Sequence, residues 1–191
     1  MRLSLSRKFI FFSNPKTGSE SMELLLDPYS DGWRLAKHIR PHEAQKVFLK
    51  RKLDYASLFK FTFTRNPWAR LVSLYEHYVQ IEKTSPPPFP RWLETVKTHM
   101  NPRLKHVSTA CSFETFACDR GALLVDAVIK LEEVDKELPP VLERIGLPPQ
   151  TRLPHVNTTR HPHYQNYYDD RMRAYVQQLY VEDIERFGYT F

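Results

Sequence analysis

Lys16, Thr17, Ser19 and Ser21 place an ammonium and a run of hydroxyls around Gly18, directly after the apolar run Phe9 to Phe12 and the breaker Ser13-Asn14-Pro15. These groups suit an anion. The ammonium supplies charge and the hydroxyls donate hydrogen bonds. A helix that starts beside the glycine points its free amides at the same spot, which fits a phosphate or a sulfate. The loop is not a Walker A loop, GxxxxGK[ST], whose Lys follows the second Gly. Glu20 leaves a second reading open. Thr17-Gly18-Ser19-Glu20 matches the capping pattern T-x-x-E, and on that reading these residues only start a helix.

A second set of groups lies between Leu58 and Tyr75, LFKFTFTRNPWARLVSLY. Arg65 falls where an alternating run (Phe59, Phe61, Phe63) meets a helical one (Leu71, Leu74, Tyr75). Asn66 is a good N-cap and Pro67 the favoured first helical residue. Arg70 lies one turn into that helix and Ser73 about two. Arg65 at a strand end and Ser73 on a helix face can converge on one phosphate.

Both sets need a strand, a tight loop and a helix N-terminus to position them. The first is Phe9–Phe12 followed by a helix carrying Met22, Leu25 and Leu26. Further along, a helix is expected from Pro41 towards Lys52, another from Pro67 to near Lys83, and a short one from Trp92 to Met100 after the stiff Thr84–Pro90 connector. Leu123 to Ile129 reads as one buried strand. The helix after it is expected to split at Pro139-Pro140. Leu147 to Asn166 reads as loop. One last helix is expected over Asp169 to Phe187, with Gly188 past its end. Strands alternating with helices predict an α/β fold, three-layer α/β/α with a mainly parallel central sheet. Ligands in such sheets sit at the carboxyl ends of the strands, where both anion-binding corners fall.

At 191 residues the chain predicts one domain spanning 1–191, and 41% hydrophobic with 26% charged residues excludes a disordered polymer. A net charge of +6 suits an anionic partner without naming it. Cys111 and Cys118 are too few for a disulfide framework and match no zinc spacing, so free thiols in a reducing compartment are expected. His155, His161 and His163 lack a carboxylate or Cys at zinc-site spacing, and no metal is expected.

The order of Lys16 and Gly18 resembles the 5′-phosphosulfate loop of sulfotransferases that use 3′-phosphoadenosine 5′-phosphosulfate (PAPS). Arg65-Asn66-Pro67-Trp68-Ala69-Arg70-Leu71-Val72-Ser73-Leu74-Tyr75 is similar to the 3′-phosphate motif of the carbohydrate-type sulfotransferases, sulfotransferase family 2. Gly121 to Val134 resembles that family's third core strand leading into its helix. Leu153 to Arg160 (LPHVNTTR) resembles a late loop that closes over the nucleotide, and the FGY ending is similar as well. Ile81 to Arg120 matches least. Val107 to Cys111 stands where family members often show a Gln, so the acceptor pocket departs from the pattern.

The resemblance implies a P-loop-like nucleotide-binding fold and transfer of a sulfuryl group from PAPS to an acceptor hydroxyl on a carbohydrate, leaving adenosine 3′,5′-bisphosphate (PAP). Donor contacts then fall to Lys16, Thr17, Gly18, Ser19, Glu20, Ser21, Arg65, Ser73, Asn157, Thr158, Thr159 and Arg160. The hydroxyl must lose a proton during attack and the leaving phosphate must be stabilised. Lys16 suits the second task. For the first, His38 in Lys37-His38-Ile39-Arg40-Pro41-His42-Glu43 lies where the family places its catalytic His. His42, one turn away, and Glu20 remain rivals, and His42 and Arg70 are candidate acceptor contacts.

Two other classes compete. A P-loop-like nucleotide kinase lacks the Walker A order and an evident Asp to hold Mg²⁺ at a strand end. A non-catalytic phosphonucleotide- or nucleic-acid-binding module would use the basic charge and the aromatics Trp33, Trp68, Tyr164, Tyr167 and Tyr168, but the Lys and Arg residues are scattered, so no nucleic-acid partner is expected. The apolar run near the start is too short for a signal peptide or a membrane span, and a cytoplasmic protein is expected.

Overall fold

The computed structural model of the protein describes residues 1–32, 35–99, 110–156 and 160–191. In chain order the strands are β1 (Arg2–Ser4), β2 (Phe9–Phe12), β3 (Phe59–Thr64), β4 (Cys118–Asp119), β5 (Ala122–Leu123) and β6 (Ala127–Lys130). The helices are α1 (Ser19–Leu26), α2 (Pro41–Lys50), α3 (Pro67–Gln80), α4 (Phe89–His99), α5 (Phe113–Ala117), α6 (Val134–Arg144), α7 (Asp170–Leu179) and α8 (Val181–Phe187).

The central sheet runs β1-β2-β3-β6. β2 pairs parallel with β3 (Phe11 opposite Phe61), and β3 parallel with β6 (Phe63 opposite Ile129). β1 closes the edge antiparallel to β2, Leu3 opposite Ile10. The sheet is therefore mainly parallel, as the alternation of strands and helices predicts. β1 is too short for its periodicity to be read from sequence.

Side-chain alternation splits the strands between two cores. Phe9, Phe11, Phe61, Phe63 and Ile129 meet Met22 and Leu26 of α1 and Leu138 and Leu142 of α6 on one face. Ile10 and Phe12 meet Ala44 and Phe48 of α2 and Phe116 of α5 on the other. All of β2 is fully buried. A buried Phe contributes roughly 1.5–3 kcal/mol, so this strand anchors the corner that follows it. A third cluster joins α3 and α4 to α7 through Trp68, Leu71, Trp92 and Val176.

Three expected elements differ. Leu123 to Ile129 is not one strand. Arg120 and Gly121, both with positive φ, turn a small hairpin in which Cys118 faces Leu123. The chain joins the central sheet only after Asp126, whose carboxylate accepts from the Lys60 amide at 2.7 Å. The prolines do not split α6. Both sit inside one helix, held by Leu138, Val141 and Leu142 in the core. The last helix does break, at Tyr180 (φ −120°, ψ 28°), whose buried phenol donates to the Ala110 carbonyl at 2.6 Å. Gly188 ends α8 with φ 63°, the left-handed conformation expected of a residue past a helix end.

Candidate active site

β2 ends at Phe12, and the loop after it is tied on both sides. The Asn14 side chain donates to the Phe63 carbonyl at 3.1 Å, and the Thr62 hydroxyl to the Phe12 carbonyl at 2.7 Å. Lys16 takes φ 62° and Gly18 φ 80°. A left-handed non-glycine residue stores local strain and is common at ligand-binding loops. Gly18 is required twice over. Its φ suits glycine, and a Cβ there would lie 2.7 Å from Leu131 Cδ1.

Gly18 is also the N-cap of α1, with no side-chain cap. The Thr17 hydroxyl is spent on the Asn14 carbonyl at 2.9 Å. The capping-box reading of Thr17 and Glu20 therefore fails. The first amides of α1 have no side-chain cap, beside Ser19 and Ser21, which suits an anion.

The second corner is built from β3 and α3. Asn66 caps α3, accepting from the amides of Trp68 (3.1 Å) and Ala69 (3.4 Å). Its own amide donates to Glu132 at 2.8 Å, and its side-chain nitrogen to the Thr190 carbonyl at 2.8 Å. Phe191 meets Trp68 edge-on, so the chain's last residues clamp this corner. Arg65 reaches back to the first loop, donating to the Lys16 carbonyl at 3.3 Å. Arg70 donates to the Pro15 carbonyl at 3.0 Å from a buried position.

His38 lies in the turn before α2, close to the end of β2. Its Nδ1 is 2.7 Å from the Ser13 carbonyl. A carbonyl only accepts, so Nδ1 carries the proton and the neutral ring keeps its lone pair on Nε2. Burial lowers the pKa of this imidazole, opposed by the bond to Ser13. The ring is therefore neutral at pH 7 and able to take a proton. The following turn is fixed by Glu43, which accepts from the Arg40 amide and guanidinium at 2.9 Å each.

The two corners and this turn enclose one cleft of ≈ 890 Å³. Lys16, Gly18, Ser19, Glu20, Ser21, His38, Arg65 and Ser73 line it. Burial lowers the Lys16 ammonium to about 8, with Glu20 opposing. Lys16 Nζ forms no ion pair among the described residues, although Glu20 and Glu82 act on it electrostatically. Arg65 is likewise lowered by burial, opposed by Glu132. A cleft that sets two desolvated cations and uncapped helix amides beside a neutral imidazole can bind a multiply charged anion and take a proton next to it.

Other expected residues fall elsewhere. The Thr17 and Arg70 side chains shape the loop from behind and do not line the cleft. His42 lies on the second residue of α2, outside it. Arg160 is exposed and exchanges backbone hydrogen bonds with the Gln80 side chain (2.8 and 3.1 Å). Asn157, Thr158 and Thr159 lie outside the described residues. The cleft also takes in residues not expected there: Lys37, His77 and Glu82, and Arg152, His155 and His161 from the late loop. His77 was legible, because it stands four residues after Ser73 on the same helix face. The Lys37–Glu20 pair, at 2.5 Å, has no such sequence signal. His163 packs instead on Tyr164.

The sulfotransferase family model matches residues 4–190, and the chain belongs to that family. The protein is a sulfotransferase. The crystal structure of a sulfotransferase from Alicyclobacillus acidocaldarius is similar at 20% sequence identity, covering 96% of this chain and 78% of that one with a TM-score of 0.43. No curated protein matches the sequence. No helix among the described residues is long and apolar enough to cross a membrane.

Proposed function

We propose that the protein moves the sulfuryl group of PAPS onto a carbohydrate hydroxyl and releases PAP. The acceptor oxygen attacks sulfur and its proton passes to His38 Nε2. The bond from sulfur to the 5′-phosphate oxygen breaks, and that oxygen keeps the electron pair. Lys16 stabilises the charge that grows on it. The α1 amides with Ser19 and Ser21 hold the 5′ end, and Arg65 with Ser73 holds the 3′-phosphate. The resemblance adds Asn157, Thr158 and Thr159, which lie outside the described residues, and Arg160 as further donor contacts.

One observation carries this reading: Lys16 and His38 line the same cleft, the first in no ion pair among the described residues and the second with Nδ1 committed and Nε2 unpartnered among the described residues. This favours His38 over His42 and over Glu20, which is paired with Lys37. The free, buried thiols of Cys111 and Cys118 support a reducing, cytoplasmic setting.

Thermal stabilisation tests the donor and labelled PAPS tests the transfer. PAP is expected to raise Tm as ligand concentration passes its Kd, while ATP with Mg²⁺ and oligonucleotides do not. Stabilisation by ATP with Mg²⁺ but not by PAP would overturn the proposal in favour of a kinase.

A further inference from the structure

Two carboxylates flank the Lys16 ammonium, and they differ in what holds them. Glu20 is tied to Lys37 at 2.5 Å, so its charge is matched by an ammonium. Glu82, just past the end of α3, has only the imidazole of His77 among the described residues, with Nε2 3.4 Å from Oε1. Both line the cleft, and both act on Lys16 electrostatically.

The groups facing His77 decide how far it can neutralise Glu82. Burial and the Lys16 ammonium lower its pKa, Glu82 and Glu20 raise it, and Lys37 lowers it, with a net downward result. His77 is therefore neutral at pH 7. Its Nε2 stands 3.4 Å from Glu82 Oε1, and the neutral ring does not cancel that charge. Its Nδ1 is buried without a hydrogen-bond partner among the described residues. The Glu82 side chain is 47% exposed and lines the cleft.

When a phosphosulfate binds, its charge meets that of the Lys16 ammonium. Glu82 is then left as a net negative charge on the wall of the cleft. An anionic acceptor meets repulsion there, and a protonated amine meets attraction. Resting on the sulfotransferase reading above, we propose that the acceptor is an amine-bearing sugar, whose ammonium pairs with Glu82 while a hydroxyl is presented to His38. Glu82 is thus a specificity-determining residue, and His77 is the positioning residue that orients it.

The test compares acceptors that differ in charge: a glucosamine oligosaccharide with free amines, its N-acetylated counterpart, and a uronate-containing oligosaccharide. The parent protein is expected to favour the free amine over the uronate by about tenfold in kcat/KM, an order-of-magnitude figure for a half-exposed charge that attracts one acceptor and repels the other. Glu82→Gln should raise KM for the free amine about three- to fivefold, the usual worth of an exposed ion pair, and should improve the uronate. PAP affinity should not fall, since a negative charge near the anion site is removed. A parent that prefers the uronate, or a Glu82→Gln variant whose acceptor ratios match the parent's, overturns the inference. If PAP fails to bind the parent, the donor reading falls by itself. Calorimetric binding of the same oligosaccharides to parent and Glu82→Gln then still decides whether Glu82 selects the amine.

Discussion

His38 donates its Nδ1 proton to the Ser13 carbonyl at 2.7 Å, which fastens the proposed base to the strand end that carries the proposed phosphate loop. One bond thereby sets both the tautomer and the distance between proton acceptor and donor site. Ser13 is held in turn, its hydroxyl donating to the buried Glu23 carboxylate of α1. The His38 ring and the start of α1 are therefore joined through Ser13.

His38→Ala should lower turnover by about 10²–10⁴, the usual contribution of a positioned base, while PAP binding stays near the parent value. His38→Asn should fail as badly, because an amide can hold the Ser13 contact but cannot take a proton. Single-turnover rates with labelled PAPS would check this. A loss under about tenfold, well short of the usual range, would reject His38, with His42→Ala and Glu20→Gln next in line.

The free enzyme should show a bell-shaped kcat/KM for donor. His38 works deprotonated, and burial lowers its pKa, so the acid limb should lie below the ordinary imidazole value of about 6.5. Lys16 works protonated and is lowered to about 8, so activity should fall as pH rises through that value. The kcat profile should shift upward at both limbs, because a bound phosphosulfate favours both charged forms. A flat profile between pH 5 and 9 would remove both groups from the mechanism.

Lys16→Ala should cut kcat by about 10²–10³ and change PAP affinity far less, since the ammonium acts most strongly as charge builds on the leaving oxygen. Lys16→Arg keeps the charge but spreads it over a rigid fork, and should recover only part of the rate. Equal kcat for parent and Lys16→Ala would sink the assignment.

Gly18→Ala should lower stability by roughly 1–2 kcal/mol from the left-handed backbone alone. The clash with Leu131 adds to this. The double variant Gly18→Ala with Leu131→Ala relieves the clash and not the strain. Denaturant midpoints should therefore show partial rescue at most. Full rescue would mean that the backbone conformation is not needed.

Both corners were legible because each packs its signals into a short stretch: an apolar run, a breaker and a helical period. Asn66 and Pro67 announced α3 by local chemistry, and the structure gives that cap. What was not legible depends on distant contacts. Tyr180 breaks the last helix because its phenol reaches Ala110, seventy residues back. The prolines of α6 are tolerated because the core below holds them, against their own propensity. Glu82 follows α3 in a stretch with no helical period, so nothing nearby in sequence ties it to Lys16.

Arg65 and Ser73 give the sharpest test of the donor. Arg65 bridges the two corners through the Lys16 carbonyl, and Ser73 is buried on the cleft side of α3. If they hold the 3′-phosphate, either alanine variant should weaken PAP and leave adenosine 5′-monophosphate almost unaffected. Arg65→Ala should cost more, because charge-assisted hydrogen bonds are roughly twice as strong as neutral ones. Its loss also frees the Lys16 carbonyl, so a general loosening of the loop has to be told apart from loss of one contact. The ratio of the two affinities does this: loosening weakens both nucleotides alike, whereas loss of the 3′ contact weakens PAP alone. Calorimetric titration of both nucleotides into parent and variants measures that ratio. An unchanged ratio in Arg65→Ala would reject the 3′-phosphate site even if both affinities fell.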